Sequence, residues 1–368
     1  MRQRALDYLA CPGCGGAFSV RVVETQGDQV EAGELTCGGC GRRVAIVRGV
    51  PRFATDVDPL ERQTADAFGY EWTRYSELAE RYRQQFLDWI RPIDASFFEG
   101  KAVLEGGCGK GRHTALAAAF GARDVVAVDL SQAVDAAYQN TKHLPNVHVI
   151  QADLKAAPVR ACFDYAFSVG VLHHLPDPEA GFRSLVSRLR PGGAISAWVY
   201  GREGNGWIVH LVTPLREHVT SRLPHKVVDA LAAVLTVPLF AATRLLYGPT
   251  RGRPLGLGLP YGEYLTYIAK FPYREQRSIV LDHLVAPVAY YLRREELAAW
   301  FERAGIADPQ IHHHNANSWR GFGHRPVGAA EAARAQAVTE TGTARGHGAG
   351  ADRTGPQAGD AEAAVVRG

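Results

Sequence analysis

Glu105, Asp129 and Asp153 stand 24 residues apart, each at the end of a short apolar run. The first run, Lys101-Ala-Val-Leu-Glu105, enters a loop with Gly107, Gly109 and Gly111; the others are Val125-Val-Ala-Val-Asp129 and Val147-His-Val-Ile-Gln-Ala-Asp153. Each interval fits one strand-helix unit of a parallel sheet. The three carboxylates should therefore line the C-terminal edge of that sheet, where open α/β sheets bind ligands. The loop is no dinucleotide fingerprint, because Arg112 stands where a glycine is needed. Nor is it a phosphate-cradling loop, since Gly111-Arg112-His113 replaces Gly-Lys-Ser/Thr. Carboxylates without phosphate-binding cations suit a ligand carrying an ammonium, a ribose diol and an adenine. Glu105 would face the ammonium, Asp129 would accept both ribose hydroxyls, and Asp153 would accept from the adenine amine.

S-adenosylmethionine is the common cofactor of that description. Residues 99–200 resemble a class I S-adenosylmethionine-dependent methyltransferase of the type 11-like group. The resemblance rests on Val103-Leu-Glu-Gly-Gly-Cys-Gly-Lys-Gly111, Val126-Ala-Val-Asp-Leu-Ser131, Gln151-Ala-Asp-Leu154, Phe163-Asp-Tyr-Ala-Phe-Ser-Val-Gly-Val-Leu-His-His174 and Leu189-Arg-Pro-Gly-Gly193. An ordinary βαβ sheet with strand-end acids for solubility is the competing account, and the five motifs in order weigh against it. The resemblance implies a Rossmann-like α/β fold and adds Leu130, Leu154 and Ser168 to Glu105, Gly107, Gly109, Gly111, Asp129 and Asp153 as cofactor-binding residues. Methyl transfer from a sulfonium mainly needs alignment, plus a base when the nucleophile carries a proton. His174, with His173 beside it and His283 further off, is the candidate base or substrate contact; the alternative is that the His-His pair only holds its loop.

Cys11-Pro-Gly-Cys14 and Cys37-Gly-Gly-Cys40 are two C-x-x-C knuckles separated by 22 residues. Such turns point four thiolates at one tetrahedral Zn²⁺ and leave no position for water, so the metal should be structural. A disulfide framework fits poorly, because Met1-Arg-Gln-Arg-Ala-Leu-Asp lacks the apolar core of a signal peptide. Residues 6–53 are similar to the small zinc-ribbon protein that activates tRNA, rRNA and release-factor methyltransferases, here fused ahead of a catalytic domain. That similarity implies a stabilising or substrate-presenting module.

The intervening segments divide the chain into a zinc ribbon (1–54), a helical connector (55–98), a methyltransferase domain (99–326) with a mainly helical insert at about 201–278, and a disordered tail (327–368). In the connector, Tyr70 and Trp72 either line the cofactor pocket or dock the segment on the core. The insert holds Pro214, Pro224, Pro238, Pro249, Pro254 and Pro260, which precludes one long helix. Ala230 to Thr243 carries no charge, and Pro238 is expected to interrupt it; a buried helix pair, a lid or an interfacial element remain open. No transmembrane segment is expected, since a span needs about 20 residues. Leu292 to Gly305 reads as an amphipathic helix before two antiparallel strands, 308–314 and 319–325. In the last 41 residues, 21 are Ala or Gly and none is aromatic, Leu or Ile, too little apolar surface to order a chain.

A net charge of +3 over 368 residues argues for neither nucleic acid nor membrane. Cys108 and Cys162 read as buried thiols, and reduced cysteines point to the cytoplasm. The expected function is methyl transfer to an O, N or C nucleophile of a small or lipid-like molecule. The alternatives are a tRNA/rRNA methyltransferase using the ribbon, and a non-catalytic S-adenosylmethionine-binding module. Residues 202–325 carry 15 Lys plus Arg against 10 Asp plus Glu, which permits RNA without requiring it.

Overall fold

A computed structural model describes residues 1–54, 57–248, 255–259 and 261–328. The expected disordered tail therefore lies almost wholly outside the described residues. Four strands form the N-terminal meander: β1 (Phe18–Gln26), β2 (Gln29–Cys37), β3 (Arg43–Val47) and β4 (Val50–Pro51), paired in sequence order. Two helices follow, α1 (Pro59–Arg74) and α2 (Tyr82–Trp89). Asp58 caps α1, its side chain accepting from the Leu60 and Glu61 amides, and Pro59 occupies the first helical position, where no amide is required.

The main sheet comprises β5 (Ala102–Gly106), β6 (Asp124–Asp129), β7 (Val147–Gln151), β8 (Phe163–Val169), β9 (Leu189–Tyr200), β10 (Gln310–His314) and β11 (Ser318–His324). Its order is β10-β11-β9-β8-β5-β6-β7. The five inner strands run parallel, while β11 is antiparallel to both neighbours. Helices α3 (Arg112–Ala119), α4 (Ala133–Thr141) and α5 (Pro178–Ser187) supply crossovers. Strands β5, β7 and β8 are buried along their whole length, as expected of a sheet covered on both faces.

The meander docks on the open edge at β7. The Phe53 amide donates to the Gln151 carbonyl at 2.7 Å and the Ala10 amide to Pro158 at 2.9 Å. Tyr8 donates to buried Asp124 at 2.6 Å, Arg4 pairs with the same carboxylate, and Arg52 pairs with Asp135 on α4 at 2.5 Å. An edge strand with free amides invites unwanted pairing; here the meander occupies it.

Between β9 and β10 lie α6 (Thr213–His218), α7 (His225–Ala242), α8 (Gly262–Ile268), α9 (Tyr273–Val285) and α10 (Arg294–Arg303). Pro214 stands in the first turn of α6 and Pro224 precedes α7, while Pro249, Pro254 and Pro260 lie outside the described residues. Pro238, however, does not interrupt α7: the helix runs through it and continues as a π-turn to Tyr247. His225–Tyr247, with mean hydropathy 1.7, is by length and composition one helix long enough to cross a membrane. Its inner face explains why the proline is tolerated. Val228 and Ala232 pack with Ala67 and Tyr75 of the α1 segment and with Leu281, Leu284 and Val285 of α9. Asp229 is buried and accepts from Tyr75 and Tyr70, and it pairs with Arg74 at 2.6 Å and Arg277 at 2.7 Å. These bonds tie the insert to the connector.

Candidate functional site

A cavity of about 920 Å³ opens between the C-terminal ends of the parallel strands and a roof made by α1 and the insert. Its floor contains Gly107, Gly109, Asp129, Leu130, Asp153 and Leu154, all expected from the sequence. Gly107 adopts φ +82°, and a Cβ there would stand 2.3 Å from the Val171 side chain, so the close loop requires glycine. Asp129 accepts from the Gly109 amide and, through its other oxygen, from the Ser131 amide and hydroxyl. The oxygen that meets Gly109 keeps a further lone pair for a ligand. Burial raises the Asp129 carboxyl above its ordinary value, against these hydrogen bonds.

Four expected residues do not line the cavity. Glu105 is 1% exposed and lies beneath the loop, accepting from Thr114 with His113 at 3.6 Å. Burial pushes its carboxyl up to about 8. Gly111 caps α3 at φ +80° and packs against Ala137 of α4, which turns it from the ligand side. Ser168 donates to the Gly106 carbonyl and so fixes β8 to β5. His173 is fully buried against Tyr200, with ring centroids 4.0 Å apart.

His174 does line the cavity. Its Nδ1 lies 2.7 Å from the Val288 carbonyl, an acceptor, so that nitrogen carries the proton and Nε2 is the basic one. Nε2 is buried without a hydrogen-bond partner. Burial lowers the imidazole below its ordinary value and keeps it neutral. His283 also reaches the cavity, beside Asp282, whose carboxylate accepts from Tyr200. Of the two connector aromatics, Trp72 stands over Gly109 while Tyr70 turns outward to Asp229.

Glu71 was not anticipated. It is wholly buried, lines the cavity and accepts from Ser278 at 2.6 Å, with its second oxygen unpartnered. Burial, reinforced by Asp282, holds its carboxyl well above the usual range. Its spacing along α1 was the available signal: Glu61, Thr64, Phe68, Glu71 and Tyr75 recur at three or four residues and share the cavity face.

At the ribbon, the Sγ atoms of Cys11, Cys14, Cys37 and Cys40 lie within 4.8 Å of one another, as one tetrahedral Zn²⁺ requires. No residue of the ribbon lines the cavity. Cys108 is buried as expected, whereas Cys162 is only half-buried.

The residues fit S-adenosylmethionine: a tight glycine loop, two strand-end carboxylates with spare lone pairs, and an aromatic cover. Lys110, the cation of this loop, donates to the Tyr75 carbonyl and Tyr82 hydroxyl and serves as a brace.

Residues 103–193 match the model of a methyltransferase domain. A tRNA U34 carboxymethyltransferase of Pseudoalteromonas translucida is 37% identical over 114 residues, covering 30% of this chain and 34% of that one. A ubiquinone biosynthesis O-methyltransferase of Idiomarina loihiensis is 30% identical over 177 residues, covering 42% of this chain and 69% of that one. The chain thus spans about a third of the length of the tRNA-modifying relatives it matches. Among solved structures, the complex of DhpI with SAH aligns with a TM-score of 0.44 at 17% identity, covering 74% of this chain and 100% of the other.

Proposed function

The chain belongs to the class I S-adenosylmethionine-dependent methyltransferases, and on that premise we propose that its methyl acceptor is an apolar, lipid-like molecule. The observation carrying this reading is the roof of the cavity. Ile208, Val212, Leu215, Leu235 and Leu239 of the insert form an aliphatic wall, and Trp198, Tyr264, Tyr267 and Phe271 form an aromatic one. Such a lining suits an apolar body held by few polar groups. Among the polar groups that reach the same cavity are Glu71, His174, Asp282 and His283.

S-adenosylmethionine supplies a methyl group on a sulfonium, already activated toward attack. In this reading Asp129 would accept from the ribose hydroxyls and Asp153 would contact the adenine, with Trp72 closing over the loop. Glu105, beneath that loop, braces it by accepting from Thr114 of α3. His174 Nε2 can take a proton from an acceptor oxygen or nitrogen, because the neutral ring has its basic nitrogen free. The roof excludes water and aligns the nucleophile.

One zinc per chain is proposed for Cys11, Cys14, Cys37 and Cys40, with the ribbon clamping β7 and α4. A second reading, methylation of tRNA or rRNA, is favoured by the similarity to the Pseudoalteromonas carboxymethyltransferase and by the ribbon. Against it stands the aliphatic cavity wall, since phosphate contacts dominate RNA affinity.

Incubating the protein with methyl-labelled S-adenosylmethionine and separate lipid and RNA fractions decides between the readings. Label in the organic extract is the expected result. Label in RNA, with RNA binding that weakens steeply as salt rises, would overturn the lipid-like acceptor.

A further inference from the structure

Helix α7 has an outer face without polar side chains. Val227, Ala230, Val234, Val237, Pro238, Ala241 and Leu245 recur at helical spacing and all are exposed, Val234 at 68% and Leu245 at 71%. A surface helix ordinarily presents charged residues on that face. The segment before it repeats the pattern: Trp207, Leu211, Leu215 and Val219 follow one another every fourth residue, with Leu211 69% exposed.

From these two stripes we propose that the outer face of the insert docks on a membrane surface containing anionic phospholipid, lying in the interface without crossing it. Three observations select this occupant. Asp229 fixes the inner face of α7 to Arg74, Tyr75 and Arg277, so the helix cannot enter a bilayer alone while those bonds persist. The exposed charges flanking the stripes are Arg222, Lys226 and Arg244 against Glu217, a positive rim that complements anionic headgroups and would repel a second copy. Finally, the apolar surface is continuous with the cavity: Trp207, Leu215 and Leu235 are each about half exposed and also line it. A lipid-like acceptor would pass from the bilayer along these residues to the site. This route rests on the acceptor reading above; the docking surface itself does not.

The test is co-sedimentation of the zinc-loaded protein with phosphatidylcholine vesicles, with and without phosphatidylglycerol. The wild-type chain should bind the anionic vesicles, more weakly at high salt. Val234→Asp with Leu245→Asp should weaken binding by about tenfold or more. Both positions are exposed and lie off the cavity, so donor affinity and the circular dichroism spectrum should be unchanged. Absence of wild-type binding, or equal binding by the variant, would overturn the proposal, as would a concentration-dependent dimer that the variant abolishes. Label transfer to RNA by a protein that still binds vesicles would refute the acceptor and leave the docking surface standing.

Discussion

The floor of the cavity carries its functional groups on strand-end loops whose positions the sheet dictates, whereas its roof carries them on helices that meet only through tertiary packing. Asp129 and Asp153 are brought level by the pairing of β6 with β7. Glu71 and Asp282, by contrast, come from opposite ends of the catalytic region and face each other because α1 and α9 both pack against α7. The floor is braced from outside by the ribbon; the roof is braced from within by Asp229. The donor side is thus held by a repeating fold, and the acceptor side by a few specific bonds.

The ribbon offers the largest way to break this contrast. Metal binding and folding are coupled in such a module, with apparent energies of about 10–16 kcal/mol in isolated zinc peptides. Chelating the metal, or Cys37→Ser, should therefore unfold residues 1–54 and expose the edge of β7. Hydrogen exchange should rise in β4, β7 and α4 and stay unchanged in α7 and α9. Elemental analysis finding no zinc in protein purified without chelators would remove the premise. The roof has its counterpart in Asp229→Ala, which leaves Arg277 and Arg74 unpaired; the loss should be about 3 kcal/mol, at the low end for such pairs because Arg74 is half exposed. Exchange should then rise in α1, α7 and α9 while β5 to β8 stay protected.

The floor was the legible half. The 24-residue intervals report the strand-helix period directly, and β5, β6 and β7 do lie side by side in the sheet. What failed there was a matter of fine placement. Glu105 points under the loop, and Gly111 serves helix packing, because a glycine motif does not say which of its members faces the ligand. In the connector, Tyr70 and Trp72 are close in sequence, yet helical residues two positions apart lie about 200° apart around the axis, so Trp72 meets the cavity and Tyr70 does not. The roof had a period within single helices such as α1 but none that relates one helix to another. Pro238 promised a break, but the packing of the inner face of α7 outweighs one missing amide bond, whose cost is about 3 kcal/mol. Glu71 lies between Tyr70 and Trp72, the two connector aromatics.

A smaller effect separates the buried acid of the floor from its neighbours. The Glu105 carboxyl is pushed up to about 8 in the folded chain, so between about pH 4.5 and 8 it is charged in the unfolded chain and neutral in the folded one. Stability from this group is present below that window and lost as pH rises through it. Glu105→Gln removes the loss, and its Tm should gain progressively on the wild type as pH rises across the window in ligand-free protein. A constant difference at all pH values would show that Glu105 ionises freely in the fold.

Deleting Ala230 to Thr243 would not test the division cleanly, because α7 holds α1 and α1 holds Trp72 over the donor loop. Point changes on the two surfaces do. The most direct measurement is calorimetric titration of S-adenosylmethionine into Asp129→Ala and into Leu239→Ala, with label transfer to the lipid extract followed in parallel. Losing a charged acceptor for the ribose hydroxyls costs about 1.5–3 kcal/mol, so Asp129→Ala should bind the donor at least about tenfold more weakly. Leu239→Ala should bind it as the wild type does and transfer label more slowly. Unchanged donor affinity in Asp129→Ala, or an equal loss in both variants, would contradict a floor that holds the donor beneath a roof that holds the acceptor.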